Sequence, residues 1–384
     1  LVKTHSASHI GNIIMNSSSI PPKTSIVKTF APGWFASVMG TAVIVVALFV
    51  FQSVFPFAKT LEPFFLFVSI LLFLILIIPW TLRWFLYPAD VRHDLSHPVS
   101  AAFFPTMPIS MLIIGIALEK IGAGIFSESL LWNILQTLWV VGSAGILIFT
   151  LTILNDFFHK TEVQWETSTL GWLIPPVSAL LVPVLGISLA THFQGTTWGV
   201  LNLMTSLIFT GFGSILFILV MSLVFIRYIF HPMPPAHLAP TLWVGIAPTS
   251  ILTIIALKFT KPLALFFEAT PEIEETLNFL SKPLGVMFWG FALFWFLLAV
   301  VITLGVHQKS SVPFALSWWA FVFPVGAFTV ATGVLFQAIP LAFFQWIGLS
   351  ALSFLLILWL VVAANTLIGV WRGSIFAPHP SPKR

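Results

Sequence analysis

Apolar runs of about twenty residues, the length a helix needs to cross a hydrocarbon core about 30 Å thick, recur ten times along this chain of 384 residues. Bounded by charges, prolines and glycines, they fall at approximately 33–55, 62–86, 100–121, 130–155, 169–190, 198–229, 238–258, 283–305, 313–337 and 341–371. Lipid offers backbone amides no partner, so only helices and closed barrels span it, and runs this long read as helices. Charged residues are 7% of the chain, against roughly a quarter in a soluble domain. The chain therefore reads as an all-α integral membrane protein with one transmembrane domain, 31–372, between tails at 1–30 and 373–384.

The first tail holds Ser and Lys without the apolar heart of a signal peptide. Placing it in the cytoplasm puts eleven Lys/Arg inside, among them Arg83, Arg92, Arg227 and Arg372. Five then lie outside: Lys59, Lys120, Lys258, Lys261 and Lys282. Excess positive charge favours the cytoplasmic side, so both termini are expected there, in a plasma membrane of bacterial or archaeal type. The absence of cysteine excludes disulfides, thiolate metal sites and iron–sulfur clusters. A net charge of +4 without a Lys/Arg block gives no reason to expect a nucleic-acid partner. His192, His231, His237 and His307 sit at span ends and form no facing pair for haem. With no nucleophile–base constellation or phosphate loop either, neither an enzyme nor a cofactor or metal is expected.

Proline divides the spans into two kinds. Pro105 and Pro108 fall in the third, Pro176 in the fifth, Pro248 in the seventh and Pro324 in the ninth. The fourth, sixth, eighth and tenth windows have no internal proline, and the second only Pro79. Pro108, Pro176, Pro248 and Pro324 are 68, 72 and 76 residues apart, as if one helical hairpin were used five times. A proline inside a helix frees a carbonyl that hydrocarbon cannot satisfy. Pro-kinked odd helices are thus expected to line a central pore, inside five straighter even helices.

Small hydroxyl residues on the odd spans, Ser37, Thr41, Ser110, Ser178, Thr249 and Thr329, are candidates to line that pore. Packing between helices is their other reading. No span carries Asp, Glu, Lys or Arg near its centre, and Glu119, Asp156, Arg83 and Arg227 fall close to predicted ends. A proton-coupled carrier usually keeps an intramembrane relay, so a channel-like path with weak binding fits better. The lack of an acidic ring removes the usual attraction for cations, and helix N-termini at the Pro and Gly breaks favour anions. Arg92 and His97 stand at the mouth of the third span.

Four stretches open odd spans: Phe30-Ala-Pro-Gly-Trp-Phe-Ala-Ser-Val-Met-Gly-Thr41, Asp94-Leu-Ser-His-Pro-Val-Ser-Ala-Ala-Phe-Phe104, Trp172-Leu-Ile-Pro-Pro-Val177 and Ser317-Trp-Trp-Ala-Phe-Val-Phe-Pro-Val-Gly326. Together they resemble the tellurite-resistance/dicarboxylate transporter family, which includes bacterial tellurite-resistance membrane proteins, fungal malate and sulfite transporters and the slow anion channels of plants. The resemblance implies ten helices in five hairpins, odd helices around a pore, and a homotrimer with one pore per subunit. Apolar even helices carrying Trp132, Trp139, Trp289 and Trp295 permit such an assembly. It also implies that a phenylalanine before the proline of the ninth span plugs the pore. In Ala-Phe-Val-Phe-Pro that is Phe323, with Phe321 as the fallback. Two positions turn a helix by about 200°, so both cannot face the pore. The expected cargo is small anions, inorganic or C4-dicarboxylates such as malate. The alternative is a proton-coupled carrier or exporter of sulfite, tellurite-related anions or malate.

Overall fold

The computed structural model describes residues 25–159, 165–309, 313–373 and 375. Residues 1–24 of the first tail and 376–384 of the second lie outside the described residues. Among the described residues every regular element is helical, and ten helical stretches are long and apolar enough to cross a membrane. We number their α-helices α1 (Phe35–Val50), α2 (Ala58–Leu86), α3 (Thr106–Ile121), α4 (Glu128–His159), α5 (Ile174–His192), α6 (Thr197–Phe230), α7 (Ala247–Lys258), α8 (Pro271–Lys309), α9 (Trp319–Ala338) and α10 (Ala342–Trp371).

Burial separates the two sets. Across the apolar heart of each stretch, 83–94% of residues are buried in odd members and 22–39% in even ones. α1 packs on α3, α3 on α5, α5 on α7, α7 on α9 and α9 back on α1, which closes a ring of five. Each odd helix also packs on the even helix that follows it. The even helices turn large apolar side chains outward, among them Phe67 and Ile78 on α2 and Ile208 and Ile215 on α6. In water such a surface would drive aggregation; in hydrocarbon it is the required coat.

The odd helices begin in a common way. Short 3-10 segments, Pro32–Trp34, Leu170–Leu173, Ala236–Ile246 and Leu316–Trp318, lead into α1, α5, α7 and α9. The eleven-residue lead into α7 is long for this geometry, whose runs seldom exceed four residues. Pro105 is the N-cap of α3 and Pro108 its third residue. Pro176 and Pro248 likewise lie in the first turns of α5 and α7. A first-turn amide has no partner within the helix, so proline there forfeits no bond and presets φ. These residues therefore mark where tight turns become α-helix, whereas Pro183 and Pro324 lie inside α5 and α9.

One expectation needs correction. Even helices do contain proline: Pro63 and Pro79 in α2 and Pro283 in α8. The sequence windows started at or beside Pro63 and Pro283, but the helices start earlier. The acidic stretch between the seventh and eighth apolar runs is mostly helix, because Pro271 opens α8 and Glu272 and Glu274 occupy its first turn. Carboxylates there meet the positive end of the helix dipole. At 39 residues α8 is about 58 Å long at 1.5 Å per residue, so it projects beyond the hydrocarbon.

Indole N–H groups tie the outer helices to the inner ring. Trp139 of α4 donates to the Val182 carbonyl at 2.9 Å, and Trp295 of α8 to that of Leu242 at 2.9 Å. Trp289 donates to Thr332 at 2.8 Å and Trp359 of α10 to Thr41 at 2.9 Å. Trp139, Trp289 and Trp295 are thus buried and face inward, not toward the outer surface. Trp132 stacks on His192 at 3.9 Å. A buried indole N–H left unpaired would cost about 1–3 kcal/mol, so these bonds help fix the pairing of helices.

A buried cation joins the chain's first described segment to the bundle. Arg83, 4% exposed, donates to the carbonyls of Lys28 and Phe30 and to Asp94 at 2.6 Å. Asp94 belongs to the helix Pro88–Ser96, so one guanidinium locks three segments.

A central apolar constriction as candidate functional site

Along the axis of the ring lies a narrow cavity of about 40 Å³. Every odd helix contributes to its wall: Val43 and Val46 from α1, Ile113 and Ile116 from α3, Leu181 and Val184 from α5, Ile251 and Ile254 from α7, and Phe323, Ala327 and Val330 from α9. Each helix supplies residues three or four apart, which share a face at 3.6 residues per turn. One water centre needs roughly 10–15 Å³, so the cavity has room for only a few waters. Its wall offers no polar side chain to replace an ion's hydration shell. Hydrophobic constrictions of this kind gate by dewetting.

Close approach of α1 and α9 sets one side of the wall. A Cβ built on Gly326 would collide with Val43, and one on Gly333 with Val50. Only glycine lets these two helices lie so near, and the first of the contacts falls on a lining residue.

Phe323 is part of this wall and 6% exposed. Phe321 is not: its ring packs edge-on against Trp243 at 5.1 Å and Trp318 at 5.8 Å. The two phenylalanines therefore serve different surfaces of α9.

None of the hydroxyl candidates is among the residues that line this cavity. Ser37 donates to the Trp34 carbonyl at 2.7 Å, Thr41 to that of Ser37 at 2.7 Å, and Ser178 to that of Pro175 at 2.5 Å. Thr329 donates to the Val325 carbonyl at 2.8 Å, and Ser110 reaches across to that of Phe35 on α1 at 3.0 Å. The Thr249 hydroxyl is buried and has no hydrogen-bond partner among the described residues. It stands one turn before Thr253, which reaches Gly285 of α8, so it too points away from the axis. A hydroxyl turned to its own helix or a neighbour is satisfied without water, which is the packing role small residues commonly take in membranes.

At the end where the odd helices begin, Arg92 and His97 are exposed. The His97 Nδ1 accepts from the amides of Val99 at 3.3 Å and Ser100 at 3.4 Å, which caps the short helix Pro98–Ala101. Trp172 then donates to the Pro98 carbonyl at 3.0 Å. Two of the sequence stretches thus meet at this mouth, and Ser317 of a third joins the lead into α7 through the His237 carbonyl at 2.8 Å.

At the opposite end the structure gathers charges that sequence reasoning treated separately. Glu119 and Lys120 close α3 and pair at 2.9 Å, and Ser188 of α5 donates to the same carboxylate oxygen at 2.9 Å. Lys258, the last residue of α7, is beside both. Helical spacing carried the signal: Lys120 and Lys258 each stand four residues beyond a lining isoleucine.

Comparison with known proteins agrees with this architecture. The family model described as voltage-dependent anion channel matches residues 29–367. An uncharacterized transporter of Methanocaldococcus jannaschii is 30% identical over 359 residues, covering 93% of this chain and 98% of the relative. The sulfite efflux pump of Arthroderma benhamiae is 22% identical over 350 residues, 88% of this chain and 90% of the relative. The malic acid transport protein of Schizosaccharomyces pombe is 21% identical over 375 residues, 94% and 84% of the two chains. A match that runs through all ten stretches, joined to a ring of apolar helices around one constriction, places the chain in the voltage-dependent anion channel family of multi-pass membrane proteins.

Proposed function

We propose that the protein passes small anions, inorganic ions or C4-dicarboxylates such as malate, through the centre of its ring in a channel-like manner, with Phe323 as the gate. The observation that carries this reading is the wall itself: one helical face from each odd helix, no ionisable side chain, and one phenyl ring among aliphatic residues. A wall that binds nothing tightly suits rapid passage, since a conducted ion must leave as readily as it enters. The proposed setting is a plasma membrane with both termini cytoplasmic, in a homotrimer whose subunits each hold one pore. Arg92 and His97 then stand at the cytoplasmic mouth.

Planar-bilayer recordings under chloride, nitrate and malate gradients test it. Anion-selective reversal potentials are expected. Cation-selective potentials, or no current with saturable uptake retained in vesicles, would refute it. The second reading is a proton-coupled carrier of sulfite, tellurite-related anions or malate. Glu119 favours that reading, being a largely buried carboxylate beside the pore's end. Flux driven by a pH gradient alone would establish it.

A further inference from the structure

The charged group at the end of the odd helices stands in line with the constriction. On α3, Glu119 and Lys120 follow Ile116 by three and four residues. On α7, Lys258 follows Ile254 by four, and on α5, Ser188 follows Val184 by four. One helical turn past the apolar wall, three of the five lining faces thus continue into one polar cluster. A fourth helix borders it, since the Lys120 Nζ lies 5.7 Å from the centroid of Phe49 on α1.

Its charges do not balance. Two lysines stand beside one carboxylate, which pairs with Lys120 alone, and among the described residues Lys258 has no ion pair. The Glu119 carboxylate is used unevenly. Its Oε1 accepts from both Lys120 and Ser188 at 2.9 Å, while Oε2 is buried with no partner. The side chains of Glu119 and Lys120 remain 12% and 16% exposed, so the cluster is reachable from its mouth.

We propose that Lys120 and Lys258 form a binding station for a small oxyanion that carries an O–H, such as hydrogen sulfite or hydrogen malate. The anion's charged oxygens meet the two ammonium groups, and its O–H donates to Oε2 of Glu119. Glu119 also holds Lys120 in place and disfavours anions that have no proton to offer, because these bring only repulsion to Oε2. Nitrate and chloride belong to that second class. The station's role in transport rests on the anion-passing reading above, whereas the binding itself does not.

Calorimetric titration of the purified full chain tests the binding, using sodium sulfite at mildly acidic pH and sodium nitrate. Hydrogen sulfite is expected to bind saturably and more tightly than nitrate. Lys258→Gln weakens it by about tenfold, the lower value for a hydrogen bond to a charged group, and Lys258→Arg restores it. Glu119→Gln erases the preference by improving nitrate. Should Lys258→Gln fail to purify as the parent does, Lys120→Gln serves the same comparison. No saturable binding by the parent, or equal binding by parent and Lys→Gln variants, overturns the station. Equal affinity of the parent for nitrate and hydrogen sulfite overturns the role of Oε2. Vesicle flux measured alongside separates the two proposals. Binding without flux leaves the station and sinks conduction, while flux untouched by variants that do not alter binding does the reverse.

Discussion

Replacing Phe323 with alanine tests the gate at the point where the structure is most specific. The cavity holds about three water centres at the ~10–15 Å³ each requires, too few to hydrate an ion. Removing the ring from the wall widens that space enough for a passing ion to keep at least one further water. A hydrogen bond to a charged group contributes about 1.5–3 kcal/mol, which corresponds to roughly a 10- to 150-fold gain in conduction. Stability falls by no more than about 3 kcal/mol, the low end for Phe→Ala, because part of the ring already faces empty space. Phe321→Ala is the control. Its ring packs between Trp243 and Trp318, so its loss costs about 3–5 kcal/mol and leaves conduction unchanged. Planar-bilayer currents and thermal melting of both variants give the answer. Current released by Phe321→Ala and not by Phe323→Ala would refute the reasoning, as would a freely conducting parent that neither change affects.

Gly326→Ala drives a Cβ into Val43 of α1, so overpacking is expected to cost about 1–3 kcal/mol and to alter the constriction; a melting curve and a current trace report each part. Asp94→Asn removes the carboxylate from buried Arg83 and is expected to destabilise by about 3 kcal/mol, as when one partner of a buried pair is lost. Melting with salt titration checks it, since a largely buried pair responds little to ionic strength. Thr41→Val deletes the acceptor of the Trp359 indole; a stability loss of about 1 kcal/mol is expected with anion selectivity intact. A changed selectivity would return Thr41 to the pore wall.

How much of this was legible in the sequence depended on which physical signal each feature leaves. Span length and composition report directly on the bilayer, so ten stretches and an all-helical fold followed from apolar runs alone. The proline period separated inner from outer helices even though its stated cause was only half right. Most of those prolines begin helices after a tight turn, as Pro108, Pro176 and Pro248 do. The wall was harder because polarity is a poor guide inside a bundle, where hydroxyls are satisfied by neighbouring carbonyls. The repeat contained the answer. Lining residues lie 5 and 8 positions beyond Pro108 and Pro176, and 3 and 6 beyond Pro248 and Pro324. Aliphatic residues are everywhere in such a chain, so only alignment on the prolines makes those pairs stand out. The lysine cluster was not legible from span charges one by one, since it is assembled from the ends of three helices.

The polarity of the ring suggests how a wall without a basic residue serves an anion under the proposed function. All five odd helices start at one end. The leads into α5 and α7 touch, those into α7 and α9 touch, and Thr106 at the start of α3 donates to the Pro32 carbonyl before α1. Five positive helix ends therefore face the mouth that holds Arg92 and His97. A single such end contributes roughly 0.3–1 kcal/mol toward a nearby anion. The opposite mouth collects five negative ends, which by themselves repel an anion. Lys120 and Lys258 stand there, on the final turns of α3 and α7. They complement the local dipoles and, through their excess over Glu119, offset part of that repulsion. Charge is thus kept to the two ends of the ring, and the apolar middle is left to aliphatic side chains and the Phe323 ring.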